Sequence, residues 1–253
     1  GTLTFNNGTK AIELLSYALN IGGASGDVVL SGLMNGSGDI TKDGGAATTL
    51  TLSGNNNSGS GIYTGNINVG TVGVPAAGIL KVITSNNALG TTAGKTTIYS
   101  GSALNIGDGL TAITVPENFD IYGTGISSGG AIRNISGTNT LTGDISLLAA
   151  SRINSDVGNI IINNVTEAIS MGSFALNIWG TLSGAVTVSG VITGSGGTLT
   201  KDGLATNFLY LSGNNTYTGV TAISIGVINV TSANALGDVS GNTTIAAAAA
   251  LQI

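Results

Sequence analysis

Few residues in this chain could do chemistry, and their spacing narrows what that chemistry would be. Asp39 with Asp43, and Glu117 with Asp120, lie close enough in sequence to act as an acid and a base on a glycosidic bond. Asp27, Asp39, Asp108 and Asp144 each follow a Gly and carry the hard oxygens that calcium takes. Their spacing matches neither an EF-hand loop nor a Gly-Gly-x-Gly-x-Asp array. Gly36-Ser37-Gly38 and Gly194-Ser195-Gly196-Gly197 have the composition of phosphate-cradling loops, yet neither opens a helical pattern. Tyr63, Tyr217 and Trp179 could form an aromatic platform for a sugar or a protein. Asn134-Ile135-Ser136 and Asn164-Val165-Thr166 are glycan-acceptor triplets of a kind that a chain rich in Asn and Thr yields by composition alone.

Against each of these stands a structural reading. His and Cys are absent, which removes Ser-His-Asp and Cys-His catalysis and the usual zinc ligands. Asp43 and Asp202 sit in matched Lys-Asp-Gly segments, where Asp and Gly are favoured by turn geometry. A catalytic carboxylate is not expected to recur with each structural unit. Tyr63 and Tyr217 also occupy matched positions, so packing at a corner explains them; Trp179 replaces Gly22 and is free to be a local surface feature. The expectation is therefore a protein with no catalytic, cofactor-binding or metal site.

The elements that must position these residues are short strands. Of 253 residues 42 are Gly and only 8% are charged, against a usual charged share of about 25%. Abundant Ile, Leu and Val exclude a disordered tract, and the Gly has no three-residue period, which excludes collagen. Thr48–Ser53, Gly78–Val82, Val186–Ser189 and Gly226–Val230 alternate apolar and polar residues as half-buried strands do. The net charge of −5, with seven scattered Lys and Arg, leaves no basic stripe for nucleic acid. No apolar run reaches the roughly 18 residues of a membrane-spanning helix, so no membrane insertion by this segment is expected.

Internal repetition organises the chain. Gly1–Gly23 aligns without a gap on Gly158–Gly180, and Asn6-Asn7, Ala11-Ile12 and Ala18-Leu19-Asn20-Ile21 recur as Asn163-Asn164, Ala168-Ile169 and Ala175-Leu176-Asn177-Ile178. The match continues through Thr41-Lys42-Asp43-Gly44 with Thr200-Lys201-Asp202-Gly203, and Leu52-Ser53-Gly54-Asn55-Asn56 with Leu211-Ser212-Gly213-Asn214-Asn215. Asn87-Ala88-Leu89-Gly90 then matches Asn234-Ala235-Leu236-Gly237, which places insertions in the first copy near Asn57–Gly61 and Gly70–Ala77. A shorter echo, Ala-Leu-Asn-Ile, also occurs at 103–106, with Ala250-Leu251-Gln252-Ile253 as a variant. The chain reads as one continuous β-solenoid over 1–253, with copy 1 at about 1–157 and a partial copy 2 at about 158–253. Starting at Gly1 without a visible signal peptide and stopping inside a repeat, it reads as a piece of a longer array. With roughly 20 to 25 residues per coil and about 4.8 Å between coils, a rod of about 50 to 60 Å is expected, its Asn-Asn pairs laddered at the corners.

Leu211-Ser212-Gly213-Asn214-Asn215-Thr216-Tyr217-Thr218-Gly219, with Gly226–Val230 and Asn234-Ala235-Leu236-Gly237, resembles the autotransporter-associated β-strand repeat, also called the passenger-associated transport repeat. Gly194–Gly203 and Ser151–Gly158 fit the same family. The resemblance implies a right-handed parallel β-helix in a secreted bacterial protein, exported through a C-terminal β-barrel and acting at the cell surface as an adhesin or stalk. No such barrel lies in this chain, and the motif itself brings no catalytic residues or cofactor. The expected partners are a host-cell, matrix or glycan ligand, adjoining repeats of the same chain, or a second copy stacked end to end as a fibre. A polysaccharide-cleaving solenoid would need a clustered acidic or basic groove, and ice binding would need strict Thr rows; neither pattern is present.

Overall fold

The computed structural model describes residues 1–6, 12–23, 25–45, 48–59, 61–73 and 78–253. Asn7, Ala11, Ser60 and 74–77 lie outside the described residues, so the Asn6-Asn7 pair, the Ala11-Ile12 match and both insertions of the first copy are seen only in part. The chain is a parallel β-solenoid of about ten turns. Helix among the described residues is confined to a single 3₁₀ turn at Ile126–Ser128. Short strands form because apolar residues alternate with Thr, Asn and Ser in runs of three to five, bounded by Gly. Most strands are too short to be stable alone and gain their partners from the coil above and the coil below, while Ile145–Ile162 and Leu176–Val188 run on from one wall to the next.

Three parallel columns of inward-facing side chains define three walls. One passes Val28, Leu50, Leu80, Leu104, Ile132, Ile153 and Ile178 in exact register. A second passes Leu19, Ile40, Ile67, Thr96, Phe119, Ile145, Ile169 and Ile192. The third, in the later coils, passes Val115, Leu141, Ile162, Val188, Leu211 and Val230. Nearly all of these are buried and form one continuous core. Coils are somewhat longer than expected where the first copy is interrupted: Leu50 and Leu80 are stacked neighbours, and both insertions lie between them.

The sequence repeat and the coil do not coincide. Leu19, Ile40 and Ile67 stack on the second wall, whereas their counterparts Leu176, Leu199 and Thr221 stack on the first. From Leu19 the second column runs through six more coils to Ile169 before the strand Leu176–Val188 opens on the neighbouring wall. The second copy is thus turned by one wall relative to the first.

Candidate functional site

Several of the carboxylates that might have served a site are corner residues. Asp39 Oδ1 accepts the N–H of Asn66 at 2.9 Å, and Asn66 Oδ1 accepts the N–H of Lys95 at 3.2 Å. Asn118 Oδ1 accepts the N–H of Asp144 at 2.9 Å on the same wall. At other corners Asp27 accepts from Thr49 N–H and Asn86 from Thr114 N–H, both at 2.8 Å. Each bond ties one coil to the next and satisfies an amide that the turn leaves unpaired. At Asp27, Asp39 and Asn66 the sequence signature is Gly followed by Asp or Asn and an apolar residue. A Cβ on Gly38 would lie on top of the carbonyl of Tyr17, and one on Gly143 on that of Glu117. Glycine is required there by close approach of the coil beneath. The expected ladder of Asn-Asn pairs is not what ties these corners; single Asp and Asn side chains bonding to backbone N–H groups of the next coil do. Of the Asn-Asn pairs, Asn55 and Asn87 form one direct side-chain step, at 3.1 Å.

The proposed acid–base pairs do not assemble. Asp39 is held by Asn66, and Asp43 accepts the N–H of Gly44 as a turn residue, matched by Asp202 and Gly203 at 2.8 Å. Glu117 points inward and is 1% exposed, with Thr96 Oγ1 donating to it at 3.3 Å. Burial pushes its carboxyl up to about 8, against the smaller opposing pull of that hydrogen bond. Asp120 points outward to Lys95 Nζ at 2.9 Å, so the wall separates the two carboxyls. Among the calcium candidates, Asp108 accepts the N–H of Leu110 at 2.9 Å and Asp144 accepts from Asn164 Nδ2 at 2.5 Å. No group of three His, Cys, Asp or Glu able to hold a metal occurs among the described residues. The Gly-rich segments are corners: Ser37 and Gly38 both donate to the carbonyl of Leu15 in the coil below, and Gly196 N–H donates to Thr218 Oγ1.

Tyr63 and Tyr217 are fully buried and are not a platform. Tyr63 donates its hydroxyl to the Asn66 carbonyl at 2.8 Å, and Tyr217 meets Thr221 Oγ1 at 2.6 Å. Burial raises both phenols, Tyr217 to about 12. Two further repeated features escaped sequence reasoning. Lys42 and Lys201 point into the solenoid, 2% and 1% exposed, and their ammonium groups meet the carbonyls of Asp43 at 2.5 Å and Asp202 at 2.6 Å. Burial lowers both lysines, Lys201 to about 8, partly opposed by the neighbouring aspartate. The signal was present in the alternation Ile40-Thr41-Lys42, which puts Lys42 in phase with the core. The second feature is Asn56 with Asn215. Each bridges two coils, accepting a backbone N–H with Oδ1 and donating to a carbonyl with Nδ2.

Two surface features do not repeat. Trp179 is half-buried beneath the Arg152 guanidinium, 4.2 Å from its ring centre, and Arg152 also donates to the Ser128 carbonyl at 2.5 Å. Beside them Asp156 collects Arg133, Asn154 Nδ2 at 2.7 Å and Thr181 Oγ1 at 2.8 Å. On another corner Tyr99 and Tyr122 stack coil on coil, with ring centres 5.4 Å apart. They line a groove of about 360 Å³ together with Val72 and Gly101.

No helix among the described residues is long and apolar enough to cross a membrane. In comparisons with known proteins the chain matches no family model, no curated protein and no solved structure.

Proposed function

We propose that this chain is a structural or adhesive segment of an extracellular surface protein, a repeat-built stalk or passenger without catalysis, at home on the bacterial cell surface. One observation carries the reading: Asp27, Asp39, Asn66, Asn118 and Asn86 each hold the next coil through a side-chain hydrogen bond, as Asp39 does to Asn66 N–H and Asn66 to Lys95 N–H. Side chains that hold successive coils together serve length and rigidity. The motif resemblance in Leu211–Gly219 supports the same reading and supplies its route of export. Ligand contact, to a host cell, a matrix or a glycan, would fall to features that do not repeat, such as the Tyr99–Tyr122 groove.

A second reading is end-to-end assembly into a fibre. Its support is the first coil, where Leu3 and Phe5 are about half exposed over a groove of about 420 Å³ lined by Leu19, Ile21, Val28 and Leu30. Adjoining repeats of a longer chain would cover the same edge. Negative-stain microscopy over a dilution series separates the readings. Single rods at every concentration support a stalk or adhesin, and filaments that lengthen with concentration support the fibre. Beads coated with the rods should then adhere to cells or matrix, and failure on every surface would remove the adhesive part of the reading.

A further inference from the structure

The acceptor triplet Asn164-Val165-Thr166 differs from the chain's other Asn-x-Ser/Thr triplets in two independent ways. The first is conformation. Asn164 Oδ1 accepts both the N–H of Thr166 at 3.0 Å and its hydroxyl at 2.9 Å, so the triplet is bent back on itself. It lies at a corner outside any strand, with Val165 85% exposed. The carboxamide nitrogen gives one hydrogen to Asp144 and keeps the second, since an amide carries two.

Elsewhere the third residue of the triplet is held by the coil framework. Ser37 N–H and hydroxyl go to the Leu15 carbonyl, Thr216 N–H goes to Ile192, and Thr231 N–H goes to Leu211. Thr244 lies within the strand Thr243–Ile245. Asn56 and Asn134 point inward and are fully buried. The second difference is recurrence. Asn164-Val165-Thr166 falls on Asn7-Gly8-Thr9 in the ungapped alignment of the two copies, and no other such triplet has a counterpart at its matched position. The first-copy triplet lies outside the described residues.

We propose that Asn164 is a glycan acceptor, modified on its side-chain nitrogen by a transferase using a nucleotide-diphosphate hexose. The bond from the anomeric carbon to the donor phosphate breaks, and the nucleotide diphosphate leaves with the electron pair. An N–C bond forms at Nδ2, and one amide proton passes to a base of the transferase. The sugar would project from the corner, clear of the walls.

The test uses the purified, folded 253-residue chain, a nucleotide-diphosphate hexose and a transferase already shown to modify an isolated peptide of residues 160–170. Peptide mass spectrometry should find one hexose on Asn164, at occupancy at least ten-fold above the exposed Asn214 and Asn242. The product should vanish in Asn164→Gln and fall at least ten-fold in Thr166→Val, with the circular-dichroism melt of each variant confirming the fold. An unmodified folded chain, or equal occupancy at all three asparagines, would overturn the proposal. Because the reaction is run on purified protein, its result is independent of where the chain resides and of what it adheres to.

Discussion

Asn56 and Asn215 make the same pair of bonds on two different walls of the solenoid. Asn56 takes the N–H of Met34 at 2.8 Å and gives to the Ala88 carbonyl at 2.7 Å. Asn215 takes the N–H of Ile192 at 2.8 Å and gives to the Ala235 carbonyl at 2.6 Å. Both asparagines are buried, so each acts as a short backbone surrogate where the chain leaves a gap in the ladder. Their equivalence shows that the repeat encodes local connections between coils and is indifferent to which wall it occupies.

Removing such a bridge should be costly. Asn215→Ala leaves a buried N–H and a buried carbonyl without partners, at about 1 to 3 kcal/mol for each group. Urea denaturation should show a loss of about 3 kcal/mol for Asn215→Ala and for Asn56→Ala. The exposed Asn214→Ala should change stability by less than about 0.5 kcal/mol.

Stability should pass through a minimum near pH 8. Glu117 has its folded-state value raised to about 8 by burial, so its contribution is full below the unfolded value of 4.5 and is lost as pH rises through 8. Lys201 is lowered to about 8, so its contribution is full above 10.5 and is lost as pH falls through 8. Thermal melts from pH 4 to pH 10 should trace both limbs, each on the order of 3 kcal/mol. Glu117→Gln should flatten the acid limb alone, and Lys201→Met the alkaline limb alone.

The glycine before a corner carboxylate should matter more than the carboxylate. Gly143→Ala drives a Cβ into the Glu117 carbonyl and forces the two coils apart, at about 3 kcal/mol or more. Asp39→Ala removes one acceptor at a partly solvated corner, at about 1 kcal/mol. Comparing Gly38→Ala with Asp39→Ala by urea midpoint tests the order at a single corner, and a larger loss for Asp39→Ala would contradict it.

Two ion pairs should behave differently. Lys95 is half exposed, and its bond to Asp120 should be worth well under about 1 kcal/mol and fade with salt. Asp156 serves Arg133, Asn154 and Thr181 at once, so Asp156→Ala strands three donors and should lower stability by about 2 kcal/mol. Thermal melts of Lys95→Ala and Asp156→Ala at low and high salt measure the contrast.

Much of this architecture was legible in the sequence because it rests on local rules. The alternation in Thr48–Ser53 gave the strand Thr49–Leu52, and Gly226–Val230 was read residue for residue. The turn role of Asp43 and Asp202 followed from their Lys-Asp-Gly setting. Lys42 was missed because a charge is ordinarily placed in solvent, and only the folded turn that follows it brings the Asp43 carbonyl and the Thr48 hydroxyl onto its ammonium group and makes its burial tolerable. Glu117 and Asp120 looked like a pair because sequence distance ignores that odd spacing along a strand sends two side chains to opposite sides.

By itself the sequence determined that the chain forms stacked parallel coils with an aliphatic interior and Gly-bounded corners, since period, composition and repeat are properties of neighbouring residues. Only the tertiary structure decided which wall each repeat occupies, which polar side chains face inward and which aspartates hold the next coil. Those outcomes depend on contacts between residues some 20 to 30 positions apart, such as Leu50 with Leu80. The lengths of the intervening turns set that register, and pattern along a single strand does not carry it.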